Sequence, residues 1–122
     1  MFEDDRHLAF LDINPIVKGH TLVIPKKHFD VLMDMDEESI GELFRTVARI
    51  ASKVVVGVGA DGFRLIQNNG EAAAQVVKHV HVHIIPLKLV QKGVFLNRMR
   101  PTEKELEQTA EEIRSAFSTD ST

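Results

Sequence analysis

Residues 78–86 read KHVHVHIIP, with His79, His81 and His83 at every second position and Val80, Val82 and Ile84 following each in turn. The chain has six histidines, so half of them fall in this run. In an extended backbone, residues two apart share a face, which sends three imidazoles one way and three apolar side chains the other. Such a face can ligate a metal, perform nucleophilic or acid–base chemistry, or simply hydrogen-bond within a packed structure. At a rise of about 3.3 Å per residue, His79 and His83 stand ~13 Å apart along the strand. Zinc needs each ring nitrogen within about 2.0–2.1 Å, so neighbours two apart can share an ion but all three cannot readily do so. Further ligands would have to come from elsewhere, such as His20 or Asp12, and the metal ranks second. In the catalytic alternative a neutral imidazole attacks through its free nitrogen while a carbonyl holds its other N–H. His81 is the natural nucleophile, because it has partners on both sides. Phosphorus suits it as electrophile, since adjacent imidazoles and loop N–H groups stabilise added oxygen charge. Three histidines in register beside a polar loop containing Asn68, Gly70 and Gln75 weigh against a purely structural role.

The flanking segments must position this face. RHLAFLDI (6–13) and HTLVIPKK (20–27) alternate like strands, joined by turn chemistry at Pro15 and Gly19. Pro25 ends the second strand or places it at an edge. From 36 to about 55 the period changes: Ile40, Leu43, Phe44, Val47, Ile50, Ala51 and Val54 form one helical stripe, with Asp34 or Asp36 as its cap. FRLIQN (63–68) is strand-like, NGEAAAQ is a loop, and the histidine run is a strand. A second helix starts near Thr102, where Thr102 and Glu105 fit a capping box, and carries Leu106, Ala110, Ile113 and Phe117 on its apolar stripe. Paired strands with separate helices predict an α+β domain on a mostly antiparallel sheet. Gly57, Gly59 and Gly62 match the G-x-G-x-x-G spacing of dinucleotide-binding turns. That turn requires a strand before and a helix after it, and here the order is reversed. A glycine-rich break between helix and strand is the better account.

A chain of 122 residues suits one domain with its own core, here residues 1–122 with 117–122 as a loose tail. The net charge of −3 argues against an electrostatic nucleic-acid binder, which normally shows a basic face. The absence of cysteine excludes disulfides and thiolate metal sites and fits a reducing compartment. MFEDDRHLAF turns acidic where a leader peptide is basic, and no apolar run is long enough to span a membrane. A cytoplasmic protein without membrane or nucleic-acid partners is expected.

HVHVHIIP resembles the H-φ-H-φ-H-φ-φ signature of the histidine-triad (HIT) family of nucleotide hydrolases and transferases. FEDDRHLAFLDINP, GHTLVIPKKH and QNNGEAAAQVVKHVHVHIIP also resemble HIT segments in their usual order, covering roughly residues 2–88. The resemblance implies a five-stranded antiparallel sheet with a long helix and a C-terminal helix, paired into a homodimer. It implies a nucleotidyl-histidine intermediate formed when His81 attacks the α-phosphate of a purine nucleotide, with no cofactor. His83 would meet the phosphate and leaving group, and His79 and His20 would form a supporting relay. Asn68, Gln75 and the Val76 N–H would hold phosphate oxygens, Asp12 the ribose hydroxyls, and Ile13 and Leu22 the base, with Phe10 nearby. His28 and His7 receive no chemical role. The sequence also departs from the family pattern. No C-x-x-C pair precedes EDD, Ala74 stands where glycine is usual, and Val76 where a hydroxyl residue is common. Lys78 resembles the dinucleoside polyphosphate hydrolases, whereas LDINP and VIPKKH resemble the phosphoramidases. A purine nucleoside phosphoramidase is the first expectation and a dinucleoside polyphosphate hydrolase the second. A zinc-dependent hydrolase and a non-catalytic nucleotide-binding protein are the alternatives from other classes.

Overall fold

Alternating polarity gives way to a 3.6-residue period at the expected places, and the chain folds accordingly. The computed structural model describes residues 1–93 and 97–118. Among these, β1 (Phe2–Glu3), β2 (His7–Leu11), β3 (Thr21–Pro25), β4 (Gly62–Ile66) and β5 (Val82–Leu87) form one antiparallel sheet in the order β1-β2-β3-β5-β4. β2 and β3 form the predicted hairpin, with Phe10 opposite Leu22. β3 lies inside the sheet, so Pro25 marks its end and not an edge.

One face of the sheet packs against α1 (Glu37–Val58), which buries Leu43, Val47, Ile50, Ala51 and Val54. These join Ala9, Val23, Val82 and Ile84 in the core, where apolar burial is the main stabilising term. Asp36 caps the helix by accepting from the Ser39 N–H at 3.1 Å. Gly59 ends it with φ 69°, a left-handed conformation that glycine adopts without a Cβ penalty. α2 (Glu103–Ser118) begins with the predicted box: the Thr102 N–H donates to Glu105 at 3.0 Å, and the Glu105 N–H to Thr102 Oγ1 at 3.1 Å. A Cβ on Gly57 would lie 2.6 Å from Ile113 Cα, so glycine is what lets the helices approach. The three spaced glycines therefore serve helix packing, helix termination and the start of β4.

Two expectations need correction. The histidine run is a strand only from Val82, because the Val80 N–H bonds to the Phe29 carbonyl at 2.8 Å outside the ladder. The first two residues of the expected loose tail are helical. Phe117 and Ser118 belong to α2, and the Phe117 ring stacks on Phe2 at 5.7 Å; residues 119–122 lie outside the described residues.

Candidate active site

The sheet face opposite α1 carries the site. Cross-strand register sets Phe10 opposite Leu22, Leu22 opposite His83, and His83 opposite Ile66, which makes one row across four strands. Although regular pairing begins only at Val82, the alternation extends upstream. Val80, Val82 and Ile84 are fully buried, while His79, His81 and His83 remain half-buried. Burial of the apolar set thus orients the imidazoles without help from the ladder.

Hydrogen-bond partners fix the proton positions on these rings. A carbonyl can only accept, so His81 Nδ1, 2.8 Å from the His79 oxygen, carries the hydrogen. In the neutral ring Nε2 then keeps the free lone pair. His79 Nε2 likewise donates to the Pro25 carbonyl at 2.8 Å. His20, fully buried, accepts the Ile16 N–H at Nδ1 (3.1 Å), so Nε2 carries its hydrogen and donates to His83 Nδ1 at 2.9 Å. His83 is left with its hydrogen on Nε2. Rings of His81 and His83 meet edge-on at 5.0 Å between centroids. His20 supports His83, therefore, and His79 supports His81 through its backbone.

Burial sets the charge of this inner pair. It pushes the His20 pKa down to about 4, aided by the charges of His83 and Arg98 and opposed by Asp12. The His83 pKa is also lowered, first by burial and then by His81 and Arg98, with Asp12 acting against them. Neutral rings are what the hydrogen-bond pattern requires. His20 Nε2 and Asp12 Oδ2, 3.7 Å apart, accordingly form no ion pair.

Asp12 is held from two other sides. Its Oδ1 accepts the Asn14 N–H at 2.8 Å, and its Oδ2 accepts from Arg98 Nη1 at 3.0 Å. Arg98 also donates to the Asn14 carbonyl at 2.6 Å, and the Met99 N–H bonds to the Pro15 carbonyl at 2.7 Å. The segment before α2 is thereby tied over the turn that presents Asp12. A cleft of about 420 Å³ lies between this turn and α2, lined among others by Asp12, His20, Met99 and Thr109. It touches the imidazole cluster only at His20.

For a metal, Asp12, His20 and His83 each bring one ligand atom within 4.8 Å of the others. Two of these nitrogens already share a hydrogen bond, and Arg98 holds the carboxylate. The three triad rings do not converge on one point: His79 and His81 turn their bonded nitrogens to backbone carbonyls.

The remaining predicted residues are placed as follows. Leu22 adjoins His83 across the sheet, Phe10 lies one strand further on, and Ile13 lies beyond β2 with 70% of its surface exposed. Asn68 is in the loop after β4. Gln75 spends its amide on backbone groups, accepting the Gly70 N–H within that loop and donating to the Asp30 carbonyl after β3, each at 2.6 Å. Val76 is 91% exposed, close behind Ala74, whose φ is 64°. Sequence reasoning did not find Ile66, Arg98, His28 or Asp30. Ile66 could have been found by extending the strand register, but the other three carried no periodic signal.

A family model described as HIT domain matches residues 1–89. The chain is 42% identical over 88 residues to the adenylylsulfatase HINT3 of Arabidopsis thaliana, covering 72% of this chain and 45% of that protein. It is 46% identical over 79 residues to the adenosine 5'-monophosphoramidase hnt1 of Schizosaccharomyces pombe, covering 65% and 56% respectively. Among solved structures, a HIT-like protein from Bartonella henselae superposes with a TM-score of 0.86 at 40% identity, covering 94% of this chain and 83% of that one. The chain spans between 45% and 66% of the length of several curated relatives it matches.

Proposed function

This chain belongs to the HIT domain family, and on that premise we propose that it is a nucleotide hydrolase using His81 as nucleophile on a nucleoside α-phosphate. The observation that carries this reading is the His81 Nδ1–H donated to the His79 carbonyl, which in the neutral ring places the lone pair on Nε2 and aims it by the chain's own backbone. In the first step Nε2 forms a bond to phosphorus as the bond to the leaving group breaks. In the second, water displaces the imidazole. Across both steps one water is consumed, its hydroxyl ending on phosphorus and its proton on the leaving group. His83 offers an Nε2–H to the phosphoryl region, kept in that tautomer by His20. Asp12 would receive the ribose hydroxyls, and Leu22, Phe10 and Ile13 would flank the base. Asn68, Gln75 and the Val76 N–H would approach the phosphate, Gln75 through its backbone while its amide braces the loop.

Purine nucleoside phosphoramidates are the first substrate class, supported by the similarity to a fungal monophosphoramidase. Dinucleoside polyphosphates are the second, favoured by the exposed Lys78 beside the triad. We also propose one domain over 1–122 acting without a cofactor, in the cytoplasm, as a homodimer; no helix among the described residues is long and apolar enough to cross a membrane. Mass spectrometry of protein quenched during turnover of an adenylated substrate should find AMP on His81, and His81→Ala should lose both adduct and activity. Turnover without an adduct, or an active His81→Ala variant, would remove the mechanism. Activity abolished by chelation and restored by zinc would favour a metal-dependent hydrolase instead.

A further inference from the structure

His28 lies 51 residues from His79 in sequence, yet their rings stack at 4.9 Å with Nδ1 facing Nδ1 at 3.1 Å. Two ring nitrogens at that distance need a hydrogen between them; otherwise two lone pairs oppose each other. His79 already places a hydrogen on Nε2 for the Pro25 carbonyl. One shared hydrogen joins the two Nδ1 atoms and ties the His28 ring to His79. His28 Nε2 lies 2.6 Å from Asp30 Oδ1 and donates to that carboxylate. His28 thus bridges His79 and Asp30 through its two ring nitrogens. The chain of bonds runs outward from His28 to Asp30 on one side, and through His79 to Pro25 on the other.

Packing does not demand this arrangement, because the His28 side chain is 66% exposed and the Asp30 side chain 58%. What it touches suggests its purpose. The His79 carbonyl is the acceptor that orients His81. The Phe29 carbonyl holds the Val80 N–H, and the Asp30 carbonyl holds the Gln75 amide. Residues 28–30 therefore brace the segment before the nucleophile at three successive positions.

We infer that His28 and Asp30 are positioning residues that hold the His79 ring, and with it the carbonyl that aims His81. The kinetic part of this inference rests on His81 being the nucleophile, whereas the structural part does not. In protein with nitrogen-15-labelled histidine, NMR should show the His81 Nδ1–H signal, slowed in exchange by the His79 carbonyl. His28→Phe keeps a ring over His79 but removes the nitrogen that shares the hydrogen, and should broaden or abolish that signal. His28→Gln restores an N–H and should recover it. In turnover, His28→Phe should lower kcat about tenfold, the equivalent of one orienting hydrogen bond, with KM changed less than about twofold. His28→Gln should regain most of that loss. An unchanged His81 signal in His28→Phe overturns the inference, as does an equal loss of activity in the Phe and Gln variants. A stoichiometric metal held between His28 and His79 in the purified protein would replace the shared hydrogen and overturn it too. A wild-type protein that neither turns over substrate nor forms an adduct refutes the nucleophile assignment alone; the NMR comparison still decides this one.

Discussion

His20 is fully buried, accepts the Ile16 N–H and supports His83, and burial holds its pKa at about 4. In the unfolded chain the same ring titrates near 6.5. The unfolded state thus binds the extra proton first as the pH falls, so stability declines from about pH 6.5 and levels off near pH 4. The full effect is on the order of 3 kcal/mol. Urea denaturation at pH 7 and pH 4.5 should show it, and His20→Asn should flatten the dependence; an unchanged slope would contradict the assignment. Asp12 permits a second test. If it receives ribose, Asp12→Asn weakens the acceptor and releases Arg98, and should raise KM about tenfold while kcat changes little. The shared imidazole face was legible because alternation along one extended run sends His79, His81 and His83 one way and Val80, Val82 and Ile84 the other. Arg98 and His28 were not, since they meet their partners across 86 and 51 residues through unpatterned segments.

Helices and hairpin were legible from period and capping residues, as Asp36, Thr102 and Glu105 illustrate. The upstream limit of β5 was not, because the acceptor that diverts Val80 is the Phe29 carbonyl, supplied by the loop after β3. Nor did the sequence reveal why position 74 matters. Ala74 adopts φ 64° directly before Gln75, a conformation costing a non-glycine residue about 1–2 kcal/mol. The family's usual glycine would avoid that cost while adding freedom to the unfolded chain. Ala74→Gly should therefore stabilise the fold by at most about 1 kcal/mol, a shift that thermal unfolding can detect. Gly57→Ala should act in the opposite direction. Its Cβ would meet the Ile113 backbone at 2.6 Å, and forcing α1 from α2 should cost about 1–3 kcal/mol.

Taken whole, the sheet ends differently on its two sides. β4 is an outer strand, and Phe63 and Leu65 remain exposed on it at 47% and 41%. An open edge carrying apolar side chains suits pairing with a second copy. If the homodimer forms there, Leu65→Lys should shift the mass measured by light scattering toward the monomer; an unshifted dimer would place the interface elsewhere. β3 lies inside the sheet, and both imidazole networks meet its ends: His20 immediately precedes it, and Pro25 closes it. β3 therefore works as a ruler whose length matches the supports to the outer histidines. One residue inserted within Thr21–Pro25 would invert every side chain beyond it, detaching one support while leaving the other in place. Length variation in this domain should therefore be rejected within these five residues.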